Sequence, residues 1–360
     1  MTRILELSAQ AAGGVRAHIR QVSQLLAKDG HQVLLAGPSN VISPAPGAVG
    51  GGCLRTYQID IGARPSGADL KALRQLKQLA TTAQVIHAHG LRAGALAVLA
   101  AKRLPAAKRP RVVVTLHNLP VGSAPTRLVG KALQLVVVKG ADYVLTVSPD
   151  LLEKAKQLGL EAGEIAVVPA PARGCVDCAD TASSAASSKA APRVLTIARL
   201  APQKGLDLLL EAATLIKQRG IDFTWLVAGD GPFKAQLNQQ IAAADLPVKL
   251  LGRREDIGAL LAQADVVVQT SYWEGQPLTL REAMQAGRAI VATDVGGSAY
   301  TLAGCGQLVE PQAGPLADAV VAVISDPKRR ETLEAASRAA VAKIPGETQL
   351  REQLDRVLKL

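Results

Sequence analysis

Residues 264–287 read ADVVVQTSYWEGQPLTLREAMQAG, and residues 289–297 continue as AIVATDVGG. The aliphatic run at 266–268 predicts a buried strand, Gly275 and Pro277 predict a turn, and LTLREAMQA predicts a short helix of good formers closed by Gly287 at its C-terminus. A second aliphatic run predicts a strand after it, so the stretch is a β-α-β unit of a parallel sheet. Its two glutamates, Glu274 and Glu282, stand eight positions apart. On one helix that separation leaves them about 80° apart, so a shared helical face is not the simplest explanation. Glu274 instead belongs on the loop and Glu282 about one turn inside the helix. Both can face the space above the helix N-terminus, where the N–H groups of Leu278, Thr279 and Leu280 offer an anion site. Carboxylates there are suited to accept hydrogen bonds from hydroxyls, as a sugar or ribose would supply. An acidic residue favouring the helix dipole beside a solvated loop glutamate explains the spacing equally well.

The same alternation runs outward in both directions. RILELS, HQVLLAG, AQVIHAHG, RVVVTLHN, DYVLTVS and IAVVPA are strand-like before residue 170, and RVLTIARL, FTWLVAGDG and VKLLGRRED are strand-like after 192. Between them, residues 170–192, APARGCVDCADTASSAASSKAAP, lose all periodicity and read as a linker. The expectation is α/β, with two doubly wound Rossmann-like domains facing a central cleft: residues 1–170, a linker at 171–192, residues 193–345, and a helix at 346–360 that can cross back to the first domain.

Length and composition fit two cores, with 360 residues of which 48% are hydrophobic. Aromatics are only 2%, which argues against stacking platforms for nucleic acid. No apolar h-region follows the first residues and no run approaches a membrane span, so a cytoplasmic chain is expected. Cys53 and Cys305 are isolated and Cys175/Cys178 is a lone C-x-x-C, so no metal site is expected. The net charge of +11 is lopsided: residues 1–180 carry 21 Lys+Arg against 11 Asp+Glu, and the remainder carries 20 against 19. That charge can hold a polyanion, a phosphorylated substrate or an anionic membrane such as the inner face of the cell membrane, although solvated surface is the default. The helix DLKALRQLKQLA, with Leu70, Leu73, Leu76 and Leu79 opposite Lys71, Arg74 and Lys77, is the candidate membrane face; packing on its own sheet gives the same pattern.

Three loops can do chemistry. Gly13 and Gly14 join the first strand to the first helix and let backbone N–H groups approach a phosphate, without the G-x-G-x-x-G of a dinucleotide fold. Arg199 ends a strand and Lys204 starts the next helix, and two cations at a strand end suit a departing diphosphate; ordinary surface charge is the alternative. His117 follows RVVVTL, and His87 and His89 come from VIHAHG. All three are expected to point into the cleft, with His117 the best candidate and His87 more readily a packed residue.

Taken in order, GGVRAH, ARLAPQKG, GDGP, LLGRREDI, the stretch at 264–287 and IVATDVGG resemble the retaining sugar-nucleotide glycosyltransferases of the GT-B fold, glycosyltransferase family 4. The resemblance covers nearly the whole chain and is tightest over 193–297. It implies that the E-x7-E element binds the donor, with Glu274 on hydroxyls of the transferred sugar and Glu282 on the ribose. Arg199 and Lys204 would hold the diphosphate, helped by Gly13, Gly14 and the turn of Gly275, Gln276, Pro277, Leu278 and Thr279. Gly229 of GDGP would line the donor site, Arg253 would lie beside the base, and His117 near the reacting sugar. The implied catalytic set is His117, Arg199, Lys204 and Glu274, with no metal and no cofactor, the nucleotide-diphosphate sugar being substrate. The implied reaction moves a hexose to a hydroxyl of a cell-envelope lipid, glycan or small molecule with retention. Gln276 replaces a more usual aromatic, Arg288 a frequent proline, and no Asn-Gly follows the proline near 170–174. A nucleotide-sugar epimerase on a similar scaffold and a silent nucleotide-sugar-binding protein are the competing readings; a phosphorylase would need a pyridoxal lysine that no motif suggests.

Overall fold

The structure, a computed structural model, describes residues 1–43, 53–62, 67–117, 124–169 and 191–360. The chain divides into two compact units, one of Met1–Pro169 with Pro345–Leu360 and one of Ala170–Ile344. The expected linker lies outside the described residues except for Ala191 and Pro192, as do Cys175, Cys178 and residues 170–174.

The first unit is a seven-stranded parallel sheet: β1 (Arg3–Ser8), β2 (Gln32–Gly37), β3 (Cys53–Gln58), β4 (Val85–His89), β5 (Arg111–Leu116), β6 (Tyr143–Thr146) and β7 (Gly163–Ile165), in the order β3-β2-β1-β4-β5-β6-β7. β1, β4 and β5 are almost wholly buried, as continuous aliphatic runs in a doubly covered sheet must be. Edge strand β3 is not visible as an aliphatic run because only Leu54 of CLRTYQ is buried. The expected strand IAVVPA is displaced to Gly163–Ile165, since the Val167 N–H donates to the Gln353 side chain and not to a neighbouring strand.

The helix Ala68–Ala80 packs on its own unit through Ala72, Leu76 and Ala80, with Leu73 and Leu79 against the same core. Leu70 is left exposed, so the buried stripe is narrower than a row of four leucines and faces inward. Among the described residues no helix is long and apolar enough to cross a membrane.

The second unit is a six-stranded parallel sheet: β8 (Arg193–Ile197), β9 (Thr224–Ala228), β10 (Val248–Gly252), β11 (Val266–Gln269), β12 (Ala289–Thr293) and β13 (Gln307–Val309), in the order β10-β9-β8-β11-β12-β13. Its core holds the fully buried Trp225, whose indole N–H donates to the Thr196 hydroxyl at 3.0 Å. In both sheets the first strand sits between neighbours whose crossovers leave in opposite directions, β1 between β2 and β4, and β8 between β9 and β11. Loops part at such switch points and leave a crevice at the carboxyl ends of the strands.

The last helix, Glu347–Leu358, is part of the first unit. It buries Leu350, Leu354, Val357 and Leu358, and Arg356 and Gln353 bind Glu164 while Arg351 binds Asp29 at 2.8 Å. Leu354→Ala should lower the unfolding free energy by about 2–5 kcal/mol in a urea melt; a change below 0.5 kcal/mol would mean that the helix adds nothing to the unit.

Candidate functional site

In the second unit the loops after β8 and β11 are tied together across the switch point. The Tyr272 N–H donates to the Gln203 carbonyl at 2.9 Å, Gln203 Nε2 donates to the Trp273 carbonyl at 2.8 Å, and the Thr270 hydroxyl donates to the Lys204 carbonyl at 2.8 Å. The Tyr272 hydroxyl donates to Asp207 at 2.8 Å, and burial, then the Asp207 carboxylate, pushes it up to about 12. These bonds fix the backbone on both sides of Lys204 and Glu274.

The two side chains meet directly. Lys204 Nζ lies 2.5 Å from Glu274 Oε1, and the Ser271 hydroxyl donates to the same oxygen at 2.5 Å. Glu274 is 6% exposed. The Glu274 backbone is held by the glycine pair of TDVGG: the Gly297 N–H donates to the Glu274 carbonyl at 2.9 Å. A Cβ on Gly296, whose φ is +53°, would come within 2.1 Å of that oxygen. A carboxylate so seated has acceptor capacity left for a hydroxyl, and the ammonium beside it can neutralise an arriving anion.

The helix that follows is Leu278–Gln285, with Pro277 at its N-cap, so Glu274 is on the loop and Glu282 is its fifth residue, 8% exposed. Gly275 and Gln276 lie in the turn, and Leu278 and Thr279 open the helix. The helix closes as expected, with the Gly287 N–H on Met284 O, the Arg288 N–H on Ala283 O, and Gly287 left-handed. One expectation is corrected: the Leu280 N–H is taken by the Pro277 carbonyl at 3.1 Å and is not available to an anion.

Other expected donor residues are placed without being brought together. Arg199 is exposed and its side chain makes no hydrogen bond or ion pair with a described residue. Arg253 is exposed after β10. Gly229 has a structural cause for being glycine, because a Cβ there would approach the Ala198 carbonyl to 1.8 Å. Gly13 and Gly14 open the helix Gly13–Lys28 of the first unit, and nothing lies within 4 Å of a Cβ on Gly13.

The helix also carries a residue that patterning missed. Arg281 is 2% exposed; its Nη2 donates to Gln276 Oε1 at 2.5 Å, while Nε and Nη1 have no hydrogen-bond partner among the described residues. Burial pushes the guanidinium down to about 10. A base with a lowered folded value is destabilising at neutral pH, and stability rises as pH climbs through that value. Arg281→Met should therefore raise the unfolding free energy at pH 7 by about 1–3 kcal/mol, read by denaturant melt; a fall would show that the guanidinium is compensated.

The first unit gathers its polar groups at the β1/β4 switch point. Parallel register sets Glu6 beside His87 and Ser8 beside His89, and His89 beside Thr115 of β5. Glu6, fully buried, accepts from His87 Nδ1 at 3.1 Å through Oε1 and from His89 Nε2 at 2.7 Å through Oε2. His87 Nε2 meets the Thr115 hydroxyl at 2.8 Å, and His89 Nδ1 meets His117 Nε2 at 3.2 Å. His18, from the first helix, stands edge-on to His89 and His117 with ring centroids 6.1 and 5.9 Å away. His87 is thus a packed residue, and His89 points at Glu6 and His117, not into open space. His117 is 6% exposed.

Burial lowers His117 well below the ordinary imidazole value, helped by the neighbouring His89, and lowers His89 to about 4, with His87 adding to burial and Glu6 opposing it. For Glu6, burial alone would raise the carboxyl, but His87 beside it and the bonds from His87 and His89 bring it to about 2. Among the described residues, Glu6, His87 and His89 form a group with ligand atoms within 4.8 Å of one another. Ligands on a tetrahedral metal stand about 3.3 Å apart, so the 2.7 Å Glu6–His89 contact fits a shared proton as it stands and would have to open for an ion. Neither Glu6 nor His18 stood out in the sequence; an acid inside the aliphatic run of RILELS was the available signal.

Histidines that are neutral when folded take up protons on unfolding below 6.5, so their contribution is complete above 6.5 and is lost as pH falls. From pH 7.5 to 5 the loss for His89 is about 2 kcal/mol, with His117 acting in the same direction; Glu6 adds nothing in that window. Urea melts across this range check it, and a flat profile would contradict neutral burial.

Two family models match the chain, "Glycosyl transferase 4-like domain" over residues 13–171 and "Glycosyl transferases group 1" over residues 191–326. The chain is similar to an alpha-D-kanosaminyltransferase of Streptomyces kanamyceticus, 34% identical over 39% of each chain, so this match spans well under two thirds of that relative. It is also similar to a phosphatidyl-myo-inositol mannosyltransferase of Mycobacterium tuberculosis, 29% identical over 94% of this chain and 91% of that one. Among solved structures, Anabaena HepE, determined with UDP and glucose, superposes with a TM-score of 0.75 at 22% identity over the full length of both chains.

Proposed function

The chain belongs to the glycosyltransferases of the GT-B fold, and we propose that it moves a hexose from a nucleotide-diphosphate sugar to a hydroxyl with retention of configuration. The observation that carries this is the Lys204–Glu274 pair at the β8/β11 switch point, a cation and a hydroxyl-accepting carboxylate held 2.5 Å apart. As the sugar–oxygen bond lengthens, negative charge grows on the departing diphosphate and positive charge on the sugar ring. Lys204 and Arg199 stabilise the first, without needing a divalent metal, and Glu274 orients the sugar through its hydroxyls. The acceptor hydroxyl forms the new bond on the side the diphosphate leaves, and its proton passes to the diphosphate. Glu282 accepts from the ribose hydroxyls, and the family resemblance alone gives His117 a hydroxyl of the reacting sugar.

The basic first half favours an acceptor with negative charge, in keeping with the phosphatidyl-myo-inositol in the name of the mycobacterial relative. UDP in the Anabaena structure makes UDP-sugars the first donors to try.

The test is a thermal-shift screen of UDP-, GDP- and ADP-sugars in EDTA, on wild type, Glu282→Ala and Arg199→Ala. One nucleotide series should raise the wild-type melting temperature by several degrees, and both substitutions should abolish the rise. With the donor so found, Glu274→Gln should lower kcat about 100-fold. Absence of any shift, or variants that respond like wild type, would sink the donor site and favour a silent scaffold.

A further inference from the structure

The buried polar cluster of the first unit is ordered as a chain, and hydrogen-bond bookkeeping determines where its protons sit. Glu6 is ionised and can only accept, so the 2.7 Å contact requires a proton on His89 Nε2. His89 is neutral at physiological pH, so its other nitrogen, Nδ1, is a bare acceptor. The atom 3.2 Å from it, His117 Nε2, must then carry a proton. His117 is neutral as well, which leaves its Nδ1 bare. His87 occupies the other carboxylate oxygen, and Thr115 closes the far side of His87, so Oε2 is left to His89.

We propose that Glu6 and His89 are positioning residues that fix the tautomer of His117, so that His117 presents Nδ1 as a hydrogen-bond acceptor and not as a donor. A bare Nδ1 accepts from a hydroxyl of the sugar or acceptor and leaves that oxygen the more electron-rich; the opposite tautomer would put a proton there and could only donate to the hydroxyl oxygen. The logic is that of a carboxylate orienting an imidazole, extended through one more imidazole. An alternative without this purpose, a cluster that only fills the sheet, would need a carboxylate that costs several kcal/mol to bury where an aliphatic residue packs as well. The catalytic purpose rests on the role given above to His117; the tautomer itself does not.

The chain has five histidines, which suits 15N-histidine NMR of the full chain at pH 7.5, assigned with single His→Gln variants. The expected spectra have His89 and His117 protonated at Nε2 and bare at Nδ1; a proton on His117 Nδ1, or a cationic His117, overturns the relay. The second arm follows nucleoside diphosphate released from UDP-glucose and GDP-mannose. Glu6→Gln and His89→Gln should each lower kcat about 10- to 100-fold with the donor KM within about twofold. In a His117→Ala background the same changes should cost less than about twofold, because their effect passes through His117. Equal costs in both backgrounds overturn the positioning role. If Glu6→Gln does not fold, the wild-type spectra and His89→Gln carry the test. Full activity of His117→Ala would remove the role of His117, and with it the relay's purpose, whatever the spectra show.

Discussion

A carboxylate taken out of water must be given partners, and each unit of this protein is arranged around one such group. In the first unit it is Glu6, with no exposure at all; in the second it is Glu274, at 6%. Leaving either unpaired would cost several kcal/mol, enough to threaten a fold whose net stability is of the order of 5–15 kcal/mol. The partners are therefore not optional. Two histidines from β4 serve Glu6, and a lysine and a serine from neighbouring loops serve Glu274.

Both carboxylates lie where the sheet reverses its winding, and the same topology explains why. At a switch point the crossovers on either side of the first strand depart in opposite directions, so no helix covers the strand ends there. Polar side chains can collect at such a place without breaking the aliphatic layers around it. In the second unit this puts the β8 loop against the β11 loop, and the backbone bonds among Gln203, Lys204, Thr270, Tyr272 and Trp273 hold them in register. In the first unit it lets β1 and β4 place an acid opposite a histidine inside the sheet, with three more imidazoles beyond.

Different amounts of the molecule were legible in the sequence. The βα alternation showed two parallel sheets because central strands are uninterrupted runs of Val, Ile, Leu and Ala, whereas CLRTYQ and QLV are edges with little to bury and left no such mark. The turn and cap around LTLREAMQAG were legible because Gly and Pro restrict the backbone locally. Glu6 was not, since one acid in RILELS looks like any strand-end charge until its neighbours across 81 and 83 residues are known. Arg281 was hidden for the same reason: on a helix wheel it passes for a surface arginine.

Local chain preferences and short-range turn chemistry act through residues close in sequence, and so the sequence alone determined the two doubly wound units, the loop position of Glu274 and the helical position of Glu282. Pairing of charges and protons acts through space. Only the tertiary structure decided that Lys204 answers Glu274, that Glu6 holds His87 and His89, and that His117 turns its Nε2 to His89, because those contacts join strands and loops from 28 to 83 residues apart.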